Sequence, residues 1–158
     1  MINHPIDPFF KNDSKILILG SFPSVKSREA MFYYAHPQNR FWKVVSAIFD
    51  APTPISTADK RTLLTQTKIA LWDVIKSCEI SGSSDSSITN AVPNDISEIL
   101  KASSIERIYT NGKASYNLYQ THIKNSIGID AVYLPSTSPA NAAWSLEKLV
   151  SAWQVIRN

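Results

Sequence analysis

The sequence contains very little cysteine, and this limits the chemistry open to it. Cys78 is the one cysteine among 158 residues, which excludes an intramolecular disulfide and a metal centre built on several thiolates. The three histidines, His4, His36 and His122, are far apart and lack the spacing of metal ligands. We therefore expect no metal and no cofactor, and a chain suited to a reducing cytoplasm.

Long apolar runs and the common nucleotide-binding motifs are also absent. No apolar stretch approaches the roughly 20 residues that a membrane-spanning helix needs, and the first residues lack the regions of a signal peptide. The sequence has no glycine-rich phosphate loop, dinucleotide-binding fingerprint or nucleophile elbow. We expect a soluble cytoplasmic monomer that does not contact membranes.

The composition is that of an ordinary globular domain with a slight excess of positive charge. Hydrophobic residues make up 44% of the chain and charged residues 18%, and 158 residues suffice for one core but not for two. We therefore expect a single domain over residues 1–158. The net charge of +3 favours an anionic partner such as nucleic acid only weakly, because many proteins without such a partner share it.

Short apolar runs separated by helical patterns predict an α/β fold. The four runs that predict buried strands are Ile16–Leu19, Ile69–Trp72, Arg107–Thr110 and Ala131–Leu134. None alternates between apolar and polar residues, which is typical of a parallel sheet covered on both faces. Helices are predicted over Phe41–Phe49, after a capping box of Ser56 and Asp59, after an N-cap at Asn94, over Ala114–His122, and on a face of Leu146, Leu149, Val150 and Trp153. The prediction is a three-layer α/β/α domain with a central four-stranded parallel sheet.

The loops beyond the carboxyl ends of these strands are where a ligand is expected. They cover residues 20–39, 73–93, 111–114 and 135–141, and they hold most of the unusual polar and aromatic residues. Within the second loop, residues 81–87 are rich in Ser and Gly and are predicted to be mobile.

The densest cluster of such residues is Phe32-Tyr33-Tyr34-Ala35-His36-Pro37-Gln38-Asn39-Arg40-Phe41-Trp42. Aromatic rings beside amides and cations are the groups that stack on a nucleobase and bind its edge or its phosphate. Phe41 and Trp42 begin a helix and are expected in the core. Tyr33, Tyr34 and Asn39 precede that helix and are expected in the site.

This cluster, with Gly20-Ser21-Phe22-Pro23-Ser24, resembles the first motif region of the uracil-DNA glycosylase superfamily. The run from Ala35 to Val44 is similar to the mismatch-specific members, and the run from Leu134 to Ala140 resembles the second motif, a loop that reaches into DNA. The resemblance covers nearly the whole chain. It implies a DNA partner that carries a deaminated base, and hydrolysis of the bond between base and sugar without a metal.

Two positions depart from the superfamily pattern. The residue before the first-motif proline, usually an Asp or Asn that activates water, is Phe22, and the second-motif position often held by His or Asn is Leu134. Such a pattern resembles the hypoxanthine-DNA glycosylase branch. There the resemblance implies that catalysis moves to Asn39, with help from a second Asn, which we assign to Asn111.

The chemistry permits this transfer of roles. An Asn is a poor base, but its amide oxygen can orient a water and its dipole can stabilise an oxocarbenium-like sugar. After the base has left the stack, an Asn111 N–H could donate to O6 or N7 of hypoxanthine. A carboxylate at Asp73 could accept from N1–H, as a third, supporting catalytic residue. Asp73 as a cap and Asn111 as part of an Asn-Gly turn are the structural alternatives.

The resemblance also implies binding roles. Tyr34 would stack on the flipped base, in a pocket with Phe22 and Ser21. The residues expected to contact DNA are Ser136, Thr137 and Ser138 at phosphates, Ala140 and Asn141 in the gap left by the base, and Arg40 at a phosphate. For Arg40 an exposed helix face is an equal alternative.

Three other functions remain open at this point. A uracil or mismatch glycosylase would share the fold, although Phe22 disfavours efficient uracil removal. A catalytically silent lesion-binding module would also have lost the usual polar positions. A nucleoside hydrolase would cleave free deoxyinosine without any duplex.

Overall fold

Seven β-strands form two sheets, and the larger sheet is the one that the apolar runs predict. The structure, a computed structural model, describes all residues from 1 to 158. The strands are β1 (Ile2–Asn3), β2 (Ile16–Gly20), β3 (Ile69–Asp73), β4 (Ile75–Glu79), β5 (Thr89–Pro93), β6 (Arg107–Asn111) and β7 (Ala131–Leu134). The larger sheet has the order β3-β2-β6-β7 with every pair parallel. The four predicted strands are therefore confirmed.

Continuous apolar runs are needed because this sheet is covered on both faces. Ile16 and Ile18 of β2 belong to one core cluster, whereas Leu17 and Leu19 belong to the other. Successive side chains of a strand point to opposite faces, so both faces of β2 are buried. The first cluster also contains Phe41 and Trp153, and the second contains Ile96 and Tyr119. This arrangement is the predicted three-layer α/β/α architecture.

Seven helices cover the sheet, largely where the sequence predicts them. They are α1 (Val25–Ala30), α2 (Phe41–Ile48), α3 (Thr57–Thr67), α4 (Ile96–Lys101), α5 (Lys113–His122), α6 (Lys124–Ile127) and α7 (Leu146–Trp153). None of them combines the length and the apolar character needed to cross a bilayer. The capping box of Ser56 and Asp59 is confirmed.

Two details of the helix predictions are wrong. The N-cap of α4 is Asp95, whose side chain accepts from the Ser97 N–H, while the Asn94 side chain donates to the Asp73 carbonyl at 2.9 Å. Leu146 is 39% exposed, so the buried face of α7 is formed by Leu149 and Trp153 without it. The first error arises because two neighbouring polar residues, Asn94 and Asp95, compete for one capping position, and the second concerns the first residue of α7.

The smaller sheet is antiparallel, has the order β1-β4-β5, and is not predicted from the sequence. β1 has only two residues and β5 has no fully buried residue, so neither shows an apolar pattern. The sheet matters for the site because β1 lies beside β4, which follows β3 after Val74. His4, next after β1, is thereby brought to the end of β3.

Candidate active site

A polar cleft lies at the carboxyl ends of the parallel strands, where the sequence predicts the site. Residues from all four predicted loops line it, and only 3 of its 17 lining residues are hydrophobic. The sequence-predicted residues that the structure brings together here are Ser21, Phe22, Tyr34, Asn39, Asp73, Asn111, Ser136, Thr137 and Ser138. Such a lining suits a polar heterocycle better than an apolar ligand.

Asn39 enters the cleft just before α2, and its orientation is fixed. Its Oδ1 accepts from the Phe41 N–H at 2.9 Å and from the Thr137 hydroxyl at 2.9 Å. A backbone N–H can only donate, so the atom that meets it is the amide oxygen. The two donors occupy both lone pairs of Oδ1, and Nδ2 makes no hydrogen bond within the protein. The structure therefore corrects the expected chemistry of Asn39: its amide nitrogen, rather than its oxygen, is available to a substrate.

Asn111, the last residue of β6, is also held by Thr137, through two hydrogen bonds. Its Oδ1 accepts from the Thr137 N–H at 3.0 Å, and its Nδ2 donates to the Thr137 hydroxyl at 3.0 Å. One amide hydrogen of Asn111 is left for a substrate. The Asn111-Gly112 pair leads directly into α5, and Gly112 has a φ of +99° that favours glycine.

Thr137 is thus the link between the two Asn side chains. Its hydroxyl accepts from Asn111 and donates to Asn39, and the residue is 0% exposed. The prediction that Thr137 donates to a DNA phosphate is therefore wrong, because its donors are committed inside the protein. Its role here is to set the positions of two amides that come from different loops.

Asp73 ends β3 and is almost fully buried, with its carboxylate 2.7 Å from Nε2 of His4. The side chains of His4 and Asp73 are 3% and 5% exposed. Asp73 caps no helix, so the alternative role of a capping residue is not found in the fold. A β-carbon at Gly20 would collide with Oδ1 of Asp73, and glycine is needed there to let the carboxylate approach β2.

Tyr34 and Phe22 contribute ring surfaces to the cleft. One face of the Tyr34 ring stacks on Phe41 at a centroid distance of 4.1 Å, which leaves only the rest of the ring for a base. The Tyr34 hydroxyl is buried without a hydrogen-bond partner. Burial and the Asp73 charge raise the pKa of this hydroxyl, and the neighbouring Asn111 amide opposes them, so the hydroxyl keeps its proton. Phe22 packs edge-to-face against the His4 ring, in the place where the superfamily pattern has a polar side chain.

Tyr33 borders the cleft, as predicted, but its polar group has a partner elsewhere. It is 2% exposed, and its hydroxyl donates to the carbonyl of Asp7 at 2.7 Å. Although it borders the cleft, this bond ties its only polar group to the N-terminal segment. Phe41 and Trp42 lie in the core, as predicted.

The Ser- and Gly-rich segment predicted to be mobile is held against the first motif. Ser83 Oγ accepts from the Val25 N–H at 3.0 Å, and Arg28 donates to the Gly82 carbonyl at 2.9 Å. Ser21 Oγ donates to Asp85 Oδ1 at 2.6 Å. The segment therefore forms one wall of the cleft and adds a second carboxyl group to it.

The Arg40 side chain holds the second-motif loop in place. Its guanidinium donates to the carbonyls of Thr137, Ser138, Asn141 and Trp144. A guanidinium committed to carbonyl oxygens has few hydrogens left for a phosphate. The expectation of an exposed helix face is therefore wrong, whereas the phosphate contact stays a prediction for the one N–H that these bonds leave free.

The rest of the second-motif loop is ordered by its own hydrogen bonds. Ser136 Oγ and Ser138 Oγ each accept from the backbone N–H two residues later, and Asn141 Nδ2 donates to the Ser136 carbonyl. The two serine hydroxyls keep their own hydrogens for a phosphate. Ala140 is exposed at the tip of the loop. The DNA contacts of Ser136, Ser138, Ala140 and Asn141 stay predictions.

Sequence analysis missed His4, Ser24, Ser83 and Asp85, and it misjudged the roles of Thr137 and Arg40. His4 had no recognisable motif, because a strand of two residues places it. Asp85 lay in a segment whose composition indicates only a loop. Thr137 was in a recognised motif, but its contacts depend on tertiary structure. The Ser24 and Ser83 hydroxyls that shape the first-motif wall had no separate signal.

Comparison with known proteins identifies the family. The family model of the Uracil DNA glycosylase superfamily matches residues 8–157, and the chain belongs to this superfamily. A protein from Methanosarcina acetivorans named hypoxanthine DNA glycosylase is 32% identical over 158 residues, 99% of this chain and 98% of its own length. A protein of the same name from Methanosarcina barkeri is 34% identical over 149 residues, 92% of each chain. The solution NMR structure of a candidate uracil DNA glycosylase from Methanosarcina acetivorans has a TM-score of 0.82 and 28% identity, and covers 100% of both chains.

Proposed function

We propose that this DNA glycosylase removes deaminated purines, chiefly hypoxanthine, from DNA by hydrolysis and leaves an abasic site. The observation that carries the proposal is the pair of amides, Asn39 and Asn111, joined through Thr137. They stand in a polar cleft where Phe22 replaces the usual polar residue. The two relatives named hypoxanthine DNA glycosylase, which align over nearly the whole chain, support the same substrate.

The cleft offers a complementary set of groups to a flipped hypoxanthine. One oxygen of Asp73 is bonded to His4, and the other can accept from N1–H of the base. The remaining amide hydrogen of Asn111 can donate to O6, and the buried Tyr34 hydroxyl gains a partner when a polar base enters. An unmet polar group of this kind costs about 1–3 kcal/mol, so satisfying it favours binding.

Asn39 acts on the charge that develops as the bond between base and sugar breaks. Electron density moves to the base while the sugar becomes oxocarbenium-like. An amide nitrogen that already faces the cleft can donate to the departing base without any reorganisation. Water then adds to C1′ of the sugar, which needs a positioned water more than a strong base. We further propose that the enzyme acts as a monomer in the cytoplasm, and sedimentation of the pure protein tests the first of these points.

A single-turnover assay with excess enzyme tests the proposed substrate. Labelled oligonucleotides would carry one hypoxanthine, uracil or xanthine, each in single- and double-stranded form, and alkali would break any abasic site. We expect cleavage at hypoxanthine well above that at uracil. Preferred cleavage of uracil would contradict the assigned substrate. Cleavage of free deoxyinosine at the same rate would indicate a nucleoside hydrolase, and binding without cleavage would indicate a silent module.

A further inference from the structure

We propose that Asp85 is a further catalytic residue, the acid that protonates N7 of the leaving purine. The inference rests on the proposed purine substrate and deepens it. Asp85 begins a 3-10 helix, Asp85–Ser87, in the segment between β4 and β5. No superfamily motif pointed to this residue.

The structure holds the Asp85 segment in place against the first motif. Ser83 and Gly82 are bonded to Val25 and Arg28 of α1, and the Asp85 carboxyl is bonded to Ser21. Attachments on both the backbone and the carboxyl keep the acid at the wall of the cleft. A catalytic acid must be held in reach of the atom that it protonates, and these bonds supply that constraint.

The two carboxyl groups of the cleft have different partners. Asp73 is buried and accepts a hydrogen bond from Nε2 of His4, whose Nδ1 accepts from the Ile6 N–H. Asp85 is bonded only to the neutral hydroxyl of Ser21, and no cation pairs with it. Two carboxyl groups in one cleft resist joint ionisation, because the negative charge of Asp73 disfavours a second negative charge on Asp85.

The surroundings of Asp85 favour its neutral form. Desolvation in the cleft wall raises the pKa of the Asp85 carboxyl, the Ser21 hydrogen bond opposes this, and the Asp73 charge raises it further. The other ionisable groups nearby are Tyr34, Cys78 and Arg28. The Arg28 guanidinium is turned to the Gly82 carbonyl and the Phe22 ring, so it does not neutralise Asp85.

The proton transfer balances within the hydrolysis. Oδ1 of Asp85 accepts from Ser21, so the proton lies on Oδ2. The Oδ2–H bond breaks and an N7–H bond forms, while the electron pair of the C1′–N9 bond passes to the base, which leaves as neutral hypoxanthine. Water oxygen bonds to C1′, and the proton that this water loses restores the Asp85 acid. Asp85 as a whole residue is exposed to solvent, although its carboxyl lies against Ser21 in the cleft wall, so solvent can carry that proton.

The test is the pH dependence of single-turnover cleavage of deoxyinosine in DNA. The wild-type rate should fall as pH rises through the raised pKa of Asp85, because the acid is lost. Asp85→Asn keeps the hydrogen-bonding shape but cannot transfer a proton. We expect it to lower the rate about 100- to 10,000-fold, the usual contribution of a general acid, to remove the alkaline fall, and to leave DNA binding nearly unchanged. Ser86→Ala is the matched control in the same loop, because Ser86 is exposed and bonds only to Ser84.

A second substitution and a modified substrate provide two further tests of the role of Asp85. Ser21→Ala removes the bond that favours the ionised acid and should move the alkaline fall to higher pH. A 7-deazahypoxanthine substrate lacks N7, so the wild type should cleave it at least about 100-fold more slowly. An Asp85→Asn enzyme with the wild-type rate, or with a lower rate but the same pH profile, would overturn the role of Asp85. A wild type inactive on deoxyinosine would instead overturn the proposed function itself.

Discussion

At the scale of single residues, the site depends on Thr137 more than on any motif position. Asn39 precedes α2, Asn111 ends β6, and Thr137 follows β7. One buried hydroxyl bonds to both amides, so the geometry of two catalytic candidates depends on a third residue. Displacing a reacting group by about 1 Å can cost 100-fold in rate.

Replacing Thr137 by Val tests this dependence. Val has nearly the same shape but removes the hydroxyl, so the Asn39 oxygen loses one of its two donors and the Asn111 nitrogen loses its acceptor. We expect single-turnover cleavage to fall about 100-fold and the free energy of unfolding to fall by about 1–3 kcal/mol. Thr62→Val is the control, because the Thr62 hydroxyl is exposed and bonds only to the Ala58 carbonyl on α3. A Thr137→Val enzyme with the wild-type rate would show that the amides are positioned without it.

At the scale of elements, two connections hold the cleft in shape, one made by β1 and one made by the residue before α2. β1 pairs with β4 and places His4 behind Asp73. The residue Arg40, just before α2, holds the second-motif loop by four carbonyls. Each connection acts on the site through one side chain, so each can be tested by one substitution.

Removing the His4 imidazole should affect both stability and activity. His4→Ala leaves a carboxylate that is 5% exposed without its donor, at a cost of about 1–3 kcal/mol in the free energy of unfolding. The freed Asp73 should also lose orientation, so cleavage should slow. His122→Ala on α5 is the matched control, since His122 makes no side-chain hydrogen bond. Chemical denaturation and single-turnover rates measure the two effects, and unchanged values in both would refute the role given to His4.

Arg40→Lys distinguishes a structural clamp from a phosphate contact. Lys cannot meet four carbonyls, so the clamp account predicts a lower melting temperature. On the clamp account, the slope of log binding constant against log salt concentration should stay the same as in the wild type even in Arg40→Gln. A phosphate contact removed by Arg40→Gln would instead reduce the magnitude of that slope by about 0.9 for duplex DNA. Fluorescence titrations at several salt concentrations measure the slope for both variants.

At the scale of the whole molecule, the sequence predicts the layers but not the smaller sheet. The parallel strands are evident because burial on both faces demands apolar runs such as Ile16–Leu19. β1 and β5 are short and partly exposed, so their pairing leaves no periodic signal. His4 and Asp85 escaped prediction for this reason, since tertiary contacts with β4 and α1 bring them to the cleft. Asn39, Asp73 and Asn111 could be placed from sequence because each lies at or near the end of a predicted strand or before a helix.

The orientation of each side chain could not be predicted from the sequence for a related reason. A motif assigns Asn39 to the site, but only the positions of the Phe41 N–H and the Thr137 hydroxyl decide which amide atom faces the substrate. Arg40 likewise has the charge of a phosphate ligand. Only the folded second-motif loop shows that its guanidinium donates to carbonyl oxygens.

The central claim is that catalysis depends on Asn39 rather than on the position of Phe22. Its most direct test is single-turnover cleavage of a hypoxanthine-containing duplex by the wild type, by Asn39→Ala and by Asn117→Ala, an exposed control on α5. We expect the control to match the wild type. Asn39→Ala should lose at least about 100-fold in rate, as when one preorganised donor is removed, while its binding to the same duplex is largely retained. A wild-type rate for Asn39→Ala would contradict the relocated active site.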